Sequence, residues 1–236
     1  VTVSVQGVNN PPTFDLDVSS VSVAEDGGPY SQVIISNISP GPADESNQAI
    51  SFDIAELSPE QAAIFAAGPE ISASGVLQFT TAVNQNTVKS GPIVLTVTAR
   101  DSEGGISDPV DVSIAVSEVN DPPVAVDDTL SDSDEDTILF IQASELLGND
   151  LDPDLLTNDA EMLKVVLDNA TSAFGANLTL DTTGDQIIYD PLDSDAIQSL
   201  RPGESLVDFF SYRAEDVAGV QSGFATVSLR IHGVND

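Results

Sequence analysis

Cysteine is absent from the 236 residues, so no disulfide can staple the fold and no thiol can act as a nucleophile or soft-metal ligand. Tryptophan is absent too, methionine and histidine occur once each, and three tyrosines and nine phenylalanines are the whole aromatic complement. The cores must therefore be built from Val, Ile, Leu and Phe. Cations are nearly missing. Only Lys89, Arg100, Lys164, Arg201, Arg213 and Arg230 stand against 39 acids, leaving a net charge of −33. Nucleic-acid binding depends on cations meeting phosphates, so that function class is excluded. No basic patch offers itself to an anionic membrane surface. No apolar run reaches the roughly 18–20 residues of a membrane span, so direct membrane insertion by a helix is not expected. No targeting signal is visible, and the chain opens inside an alternating strand, as a segment of something longer would.

What is present is a repeat. "VTVSVQGVNN" opens the chain, "DVSIAVSEVND" lies in its middle and "TVSLRIHGVND" closes it. Asn9 and Asn120 lie 111 residues apart, and Asn120 and Asn235 lie 115 apart. A period of one domain length means an array. Each copy reads as a last strand followed by a hinge. Pro11-Pro12 and Pro122-Pro123 end the strand, because proline cannot continue a ladder, and they keep the linker extended. The expected organisation is residues 1–8 as the last strand of a preceding repeat, then a domain at 9–121 and a second at 122–236. The orphan strand has three fates open to it: disorder, pairing with an exposed edge, or strand exchange with a neighbouring molecule.

Period-two alternation dominates, with turn residues between the runs. Strands are expected near 15–23, 32–38, 49–54, 75–80, 93–100 and 110–117, then near 137–142, 163–167, 177–180, 186–189, 206–213 and 224–232. "SPEQAAIFAA" (58–67) reads as helical turns, with Ser58 as N-cap, Pro59 at the first position and Glu60 at the positive end. "ASELLGND" (143–150) and "DSDAIQSL" (193–200) read as short helical turns. Many short strands without regular intervening helices predict an all-β chain of two tandem Greek-key β-sandwiches.

The acids cluster at expected strand ends and hinges: Glu25-Asp26, Asp44-Glu45, Asp101 with Glu103, Asn120-Asp121, Asp134-Glu135-Asp136, Asn149-Asp150 with Asp152 and Asp154, Glu215-Asp216, and Asn235-Asp236. Two readings fit: a solvated, salt-adapted surface, or a surface partly neutralised by divalent cations. Calcium takes six to eight oxygens from carboxylates, amides and carbonyls, and Asp/Asn-rich loops supply them. "NDLDPD" is not an EF-hand loop, since it lacks the glycine and closing Glu of that motif.

"VNDPP" followed by "EDG" or "EDT", an Asp-rich loop, and "ARD" or "AED" resembles the bacterial cadherin-like repeats of large surface adhesins. "ISPGPADESNQAISFDI" (38–54) resembles the tandem-95 type, and "YDPLDSDAIQSLRPGESLVDFFSYRAEDVAG" (189–219) the VCBS type. The resemblance covers nearly the whole chain. It implies a cadherin/immunoglobulin-like fold, Ca2+ as cofactor, an extracellular, cell-surface location, and neighbouring repeats of the same long chain as partners. Carried over residue by residue, it implies Glu25, Asn120, Asp121, Asp150, Asp152 and Asp216 as ligands at the central hinge. Asn9, Asn10, Asp44 and Asp101 would serve an upstream hinge, and Glu135, Asn235 and Asp236 a C-terminal one. Two departures reduce the ion set. "TAVNQN" stands where the Leu-Asp-Arg-Glu motif of true cadherins would be, leaving Asn84 and Asn86 as weak substitutes, and Asn10 replaces an Asp.

The resemblance points to a structural spacer in cell adhesion or biofilm, stiffened by calcium. The competing reading is a carbohydrate-binding module that meets polysaccharide or a cell-surface receptor through exposed aromatic faces, although Tyr30, Tyr189 and Tyr212 are scattered and Tyr212 reads as core. An enzyme is not expected: His232 reads as a strand-surface residue, and neither a "GxSxG" elbow nor a Gly-rich phosphate loop occurs.

Overall fold

The computed structural model describes residues 7–158 and 161–234. The chain divides into two compact units, Val1–Val119 and Asn120–Asp236. Residues 1–6 of the opening strand, and Asn235 and Asp236 of the last hinge, lie outside the described residues.

The first unit carries β1 (Thr13–Leu16), β2 (Ser20–Ala24), β3 (Pro29–Val33), β4 (Ile35–Ser39), β5 (Ile50–Ile54), β6 (Phe65–Ile71), β7 (Val76–Thr81), β8 (Ile93–Asp101) and β9 (Val110–Ser117), with a short helix α1 (Pro59–Ala62). One sheet runs β2-β9-β8-β5, a second β3-β7-β6, and β1 pairs β4. In β8, "IVLTVTARD", every second side chain is buried: Ile93, Leu95, Val97, Ala99 and Asp101. These meet Ile34, Ile35, Leu77 and Ile114 in one core. Each fully buried aliphatic side chain contributes about 1.5–3 kcal/mol.

The second unit follows with β10 (Asp128–Thr129), β11 (Ser133–Asp134), β12 (Leu139–Gln142), helix α2 (Ala143–Leu146), β13 (Lys164–Leu167), β14 (Asn177–Leu180), β15 (Gln186–Asp190), helix α3 (Asp195–Gln198), β16 (Ser205–Glu215) and β17 (Ala225–His232). One sheet runs β10-β17-β16-β13, with β11 also on β17, and the other β12-β15-β14. Tyr189, Tyr212, Ile187, Leu229 and Ile231 fill the core between them. In both units an early strand pairs parallel with the last one, β2 on β9 and β10 and β11 on β17. Each unit is thus a Greek-key sandwich, all-β as the alternation predicts and of the cadherin/immunoglobulin kind that the resemblance implies.

Three expected elements are cut differently. The run at 15–23 is two strands, because the chain changes sheets: β1 pairs β4 and β2 pairs β9. Between them Asp17 N–H donates to Ile34 O at 2.8 Å. The run at 32–38 is likewise split at Ile34, whose N–H is taken by Gly75 O. The helix expected over 58–67 stops at Ala62, and Phe65–Ile71 is strand β6 instead, paired with β7. Among the described residues, no helix is long and apolar enough to cross a membrane.

Candidate functional site

The same constellation is built at the start of each unit. In the first, the hinge residue Asn9 donates through Nδ2 to both Asp101 oxygens, at 3.2 and 3.1 Å. Asn10 N–H donates to Glu45 Oε1 at 2.9 Å. In the second, Asn120 Nδ2 donates to Asp216 Oδ2 at 2.9 Å, and Asp121 N–H to Asp154 Oδ2 at 2.8 Å. Asn9 thus matches Asn120, Asn10 matches Asp121, Glu45 matches Asp154 and Asp101 matches Asp216. Asp101 and Asp216 each close their strand's turn in the same way, accepting the N–H four residues on, Gly105 at 2.9 Å and Val220 at 2.8 Å.

The carboxylate of the first cluster is shaped by glycine. A Cβ at Gly41 would collide with Glu45 Oε2, and one at Gly105 with Asp101 Oδ2 and Asn9 Nδ2. Gln48 Nε2 donates to Asn9 Oδ1 at 2.8 Å. The Asn10 amide is best satisfied with Nδ2 facing Val8 O and Glu45 Oε1, each at 3.1 Å. Glu45 is 6% exposed, and its Oε2 is buried with no hydrogen-bond partner. Asp44, the neighbour named from the sequence, is exposed; the 3-10 turn at Ala43–Glu45 directs Glu45, not Asp44, toward Asn10.

The second cluster is larger. Asp152, Asp154, Glu161 and Asp216 are 4%, 1%, 4% and 2% exposed. Asp154 N–H donates to Asp152 Oδ1 at 2.9 Å, and Val217 N–H to Glu161 Oε1 at 3.1 Å. Asp152 Oδ2 is buried without a partner. Burial, reinforced by the charges of Asp154, Glu161 and Asp216, pushes the Asp152 carboxyl up to about 6. At Asp216 burial pushes upward as well. There the hydrogen bonds from Asn120, Val220, Ala218 and Gly219 outweigh it and hold the group below its ordinary range. Asp101 is lowered by the same balance, burial opposed by Gly105, Asn9, Glu103 and Gly104.

The far end of each unit repeats a smaller motif. Val119 N–H donates to buried Glu25 Oε1 at 3.0 Å, and Asn86 Nδ2 to the same oxygen at 3.1 Å. Val234 N–H donates to both oxygens of buried Glu135, at 2.7 and 2.9 Å. Asn84, by contrast, offers its N–H to Asp26 at 3.2 Å.

Of the expected central-hinge set, Asn120, Asp121, Asp152 and Asp216 come together. Glu25 belongs to the first unit. Asp150 turns elsewhere: it accepts Val126 N–H at 2.8 Å and lies 3.0 Å from the Tyr212 hydroxyl, with Asp128 on the other side of that hydroxyl at 3.1 Å. Burial raises the Asp150 carboxyl. The structure adds Glu45, Asp154 and Glu161. The first two were legible as members of acidic clusters; nothing in the local sequence singles out Glu161.

The donor set is all oxygen, hard and acidic, with orphaned buried oxygens on Glu45 and Asp152, which suits calcium. As they stand, the described residues hold no group of three or more His, Cys, Asp or Glu side chains arranged to grip a metal ion. Backbone N–H groups occupy one oxygen each of Asp152, Asp154 and Glu161.

The aromatic platform expected for sugar binding is not made of tyrosine. Tyr189 and Tyr212 are fully buried, and Tyr30 is half-buried and stacked on Phe79 with ring centroids 4.7 Å apart. His232 is a half-exposed strand residue paired with Asp132 at 2.9 Å.

These features define a class: tandem β-sandwich repeats of the cadherin/immunoglobulin kind. Residues 120–230 match the family described as the bacterial Ig domain. Human protocadherin-24 EC1-2 is similar in structure, with a TM-score of 0.52 and 16% identity over 97% of this chain and 100% of that one. Human mucin-like protocadherin EC1-2 gives 0.53 and 16% over 94% and 99%. PcdhgB3 EC1-4 gives 0.58 and 15% over 96% of this chain and 50% of that one. At these identities the likeness is one of fold. No curated protein matches the chain in sequence.

Proposed function

We propose that the chain is a pair of extracellular spacer repeats of a large bacterial adhesin, and that calcium stiffens the array. The observation that carries this reading is the duplicated hinge constellation, Asn9/Asn10/Glu45/Asp101 and Asn120/Asp121/Asp154/Asp216, on two cadherin-like sandwiches. A surface adapted only to salt needs no buried carboxylates gathered at equivalent hinge positions. The glycines at 41 and 105 keep room there for carboxylate oxygens.

The residues that would hold the ions are Asn9, Asn10, Glu45 and Asp101 in the first repeat, and Asn120, Asp121, Asp152, Asp154, Glu161 and Asp216 in the second. Calcium supplies charge neutralisation and a rigid oxygen coordination there. The chain's own part is to present the oxygens. Without the ion these carboxylates repel one another, so the hinge segments gain freedom and become open to proteases. The reading assigns no catalytic role to the chain.

The test is small-angle scattering and a thermal melt of the full chain, in calcium and in sodium chloride of matched ionic strength after chelation. Calcium is expected to extend the particle and raise the Tm beyond the sodium control. Asp121→Ala with Asp152→Ala is expected to abolish the extension while both units stay folded. Equal profiles in calcium and sodium would return the −33 charge to a plain solvated surface.

A further inference from the structure

We infer that the two hinge clusters bind calcium unequally, the second-unit cluster taking the ion at lower concentration than the first. This rests on the calcium reading above and adds an order of loading to it. The two clusters share one backbone plan but differ in charge. The first presents two buried carboxylates, Glu45 and Asp101, set among the amides of Asn9, Asn10 and Gln48. The second presents four buried acids, Asp152, Asp154, Glu161 and Asp216, with one amide, Asn120, and a fifth acid, Asp121, at the hinge position whose N–H donates to Asp154.

Three differences act in the same direction. Asn10 stands where the second cluster has Asp121, removing one charge. Gln48 uses its Nε2 to satisfy Asn9 Oδ1, so a ligand oxygen of the first cluster is already engaged. Asp152 and Glu161 have no acidic counterpart among the first cluster's hydrogen-bonded residues. The buried, unpartnered Asp152 Oδ2 lies in the field of Asp154, Glu161 and Asp216, so the ion-free second cluster carries stored repulsion that a divalent cation relieves. Ligand charge count is one of the two levers by which oxygen sites tune calcium affinity over several decades, and rigidity is the other. Of these two levers, charge count is the one in which the clusters plainly differ. Over an intermediate calcium range the second repeat is loaded while the first is not, so an array of such repeats would stiffen in stages.

The experiment is isothermal titration of the chelated full chain with calcium chloride. Two classes of site are expected, their Kd values separated by about tenfold or more. Asp152→Asn with Glu161→Gln is expected to remove the tight class and leave the weak one. Glu45→Gln is expected to do the reverse. Asn10→Asp, which adds the missing charge, is expected to tighten the weak class by about tenfold without touching the tight one. That gain-of-affinity variant keeps the test open if a loss variant fails to fold. A single class of sites, or a tight class that survives D152N/E161Q and weakens with E45Q, overturns the unequal loading while the spacer reading stands. No heat of binding at millimolar calcium overturns both.

Discussion

Asp208 shows what a single buried charge demands. It is 0% exposed in the second core, and its carboxylate accepts from Tyr189 Oη at 2.6 Å, Ser172 Oγ at 2.5 Å, Phe174 N–H at 3.0 Å and Phe209 N–H at 2.8 Å. Burial first, and then the neighbouring carboxylate, hold the Tyr189 hydroxyl proton well above the usual phenol range. Asp208→Ala would leave the buried Tyr189 and Ser172 hydroxyls unpaired, each costing about 1–3 kcal/mol, so a loss of about 2 kcal/mol or more in the second unit is expected from urea titration. Asp152 presents the opposite case, a buried carboxylate short of partners. Its proton is held to about 6, against an ordinary 3.8. The folded state therefore binds a proton that the unfolded chain has released, and stability from this site is lost as pH rises between those values. In chelated protein, the parent is expected to lose about 1–3 kcal/mol relative to Asp152→Asn across that window, and calcium is expected to erase the difference. Denaturant midpoints at pH 4, 5, 6 and 7 would measure it, and a flat parent-minus-variant difference would show that Asp152 is not strained.

Local signals at the scale of elements held where they did not depend on a neighbour. Ser58 caps α1 as its sequence predicts. Its Oγ accepts Gln61 N–H at 3.2 Å, and Gln61 Oε1 accepts Ser58 N–H at 3.0 Å, a reciprocal capping box. Glu60 is held below its ordinary range, first by its own backbone N–H and then by Ser58. Ser58→Ala is expected to cost about 1 kcal/mol, read as a small drop in Tm of the first unit. Strand β9 begins and ends where the alternation places it, at Val110 and Ser117. Strand β6 was hidden because "FAAGPEI" lacks a clean period of two; its pairing with β7 slips twice, between Phe65 and Ala67 and between Ala67 and Glu70. The two-residue strands β10 and β11 were hidden for a different reason. Each exists only because β17 offers an edge to it.

The whole molecule sets 39 acids against six cations, and a compact state at −33 is strained by its own field. The duplicated clusters concentrate part of that charge at one end of each sandwich, inside buried pockets rather than in solvent, where screening by monovalent salt is weak and a divalent ion acts most strongly. The scattering comparison in matched sodium and calcium belongs at this scale, because it separates what a divalent cation does from what monovalent screening does.

The repeat of the Val-Asn-Asn and Val-Asn-Asp phrases, the proline breaks and the all-β alternation followed from the amino-acid sequence alone. They are properties of periodicity and composition, which need no knowledge of what touches what. Which acids share a cluster was decided by the tertiary structure. Glu45 and Asp44 are chemically near-equal neighbours, and one turn of 3-10 backbone buries the first and exposes the second. Asp150 and Asp152 alternate in one loop, yet Tyr212 claims the first while the second sits among Asp154, Glu161 and Asp216. The carboxylates gather from turns, loops and strand ends far apart in sequence, and only the tertiary fold brings Asp101 to Asn9, or Asp216 to Asn120.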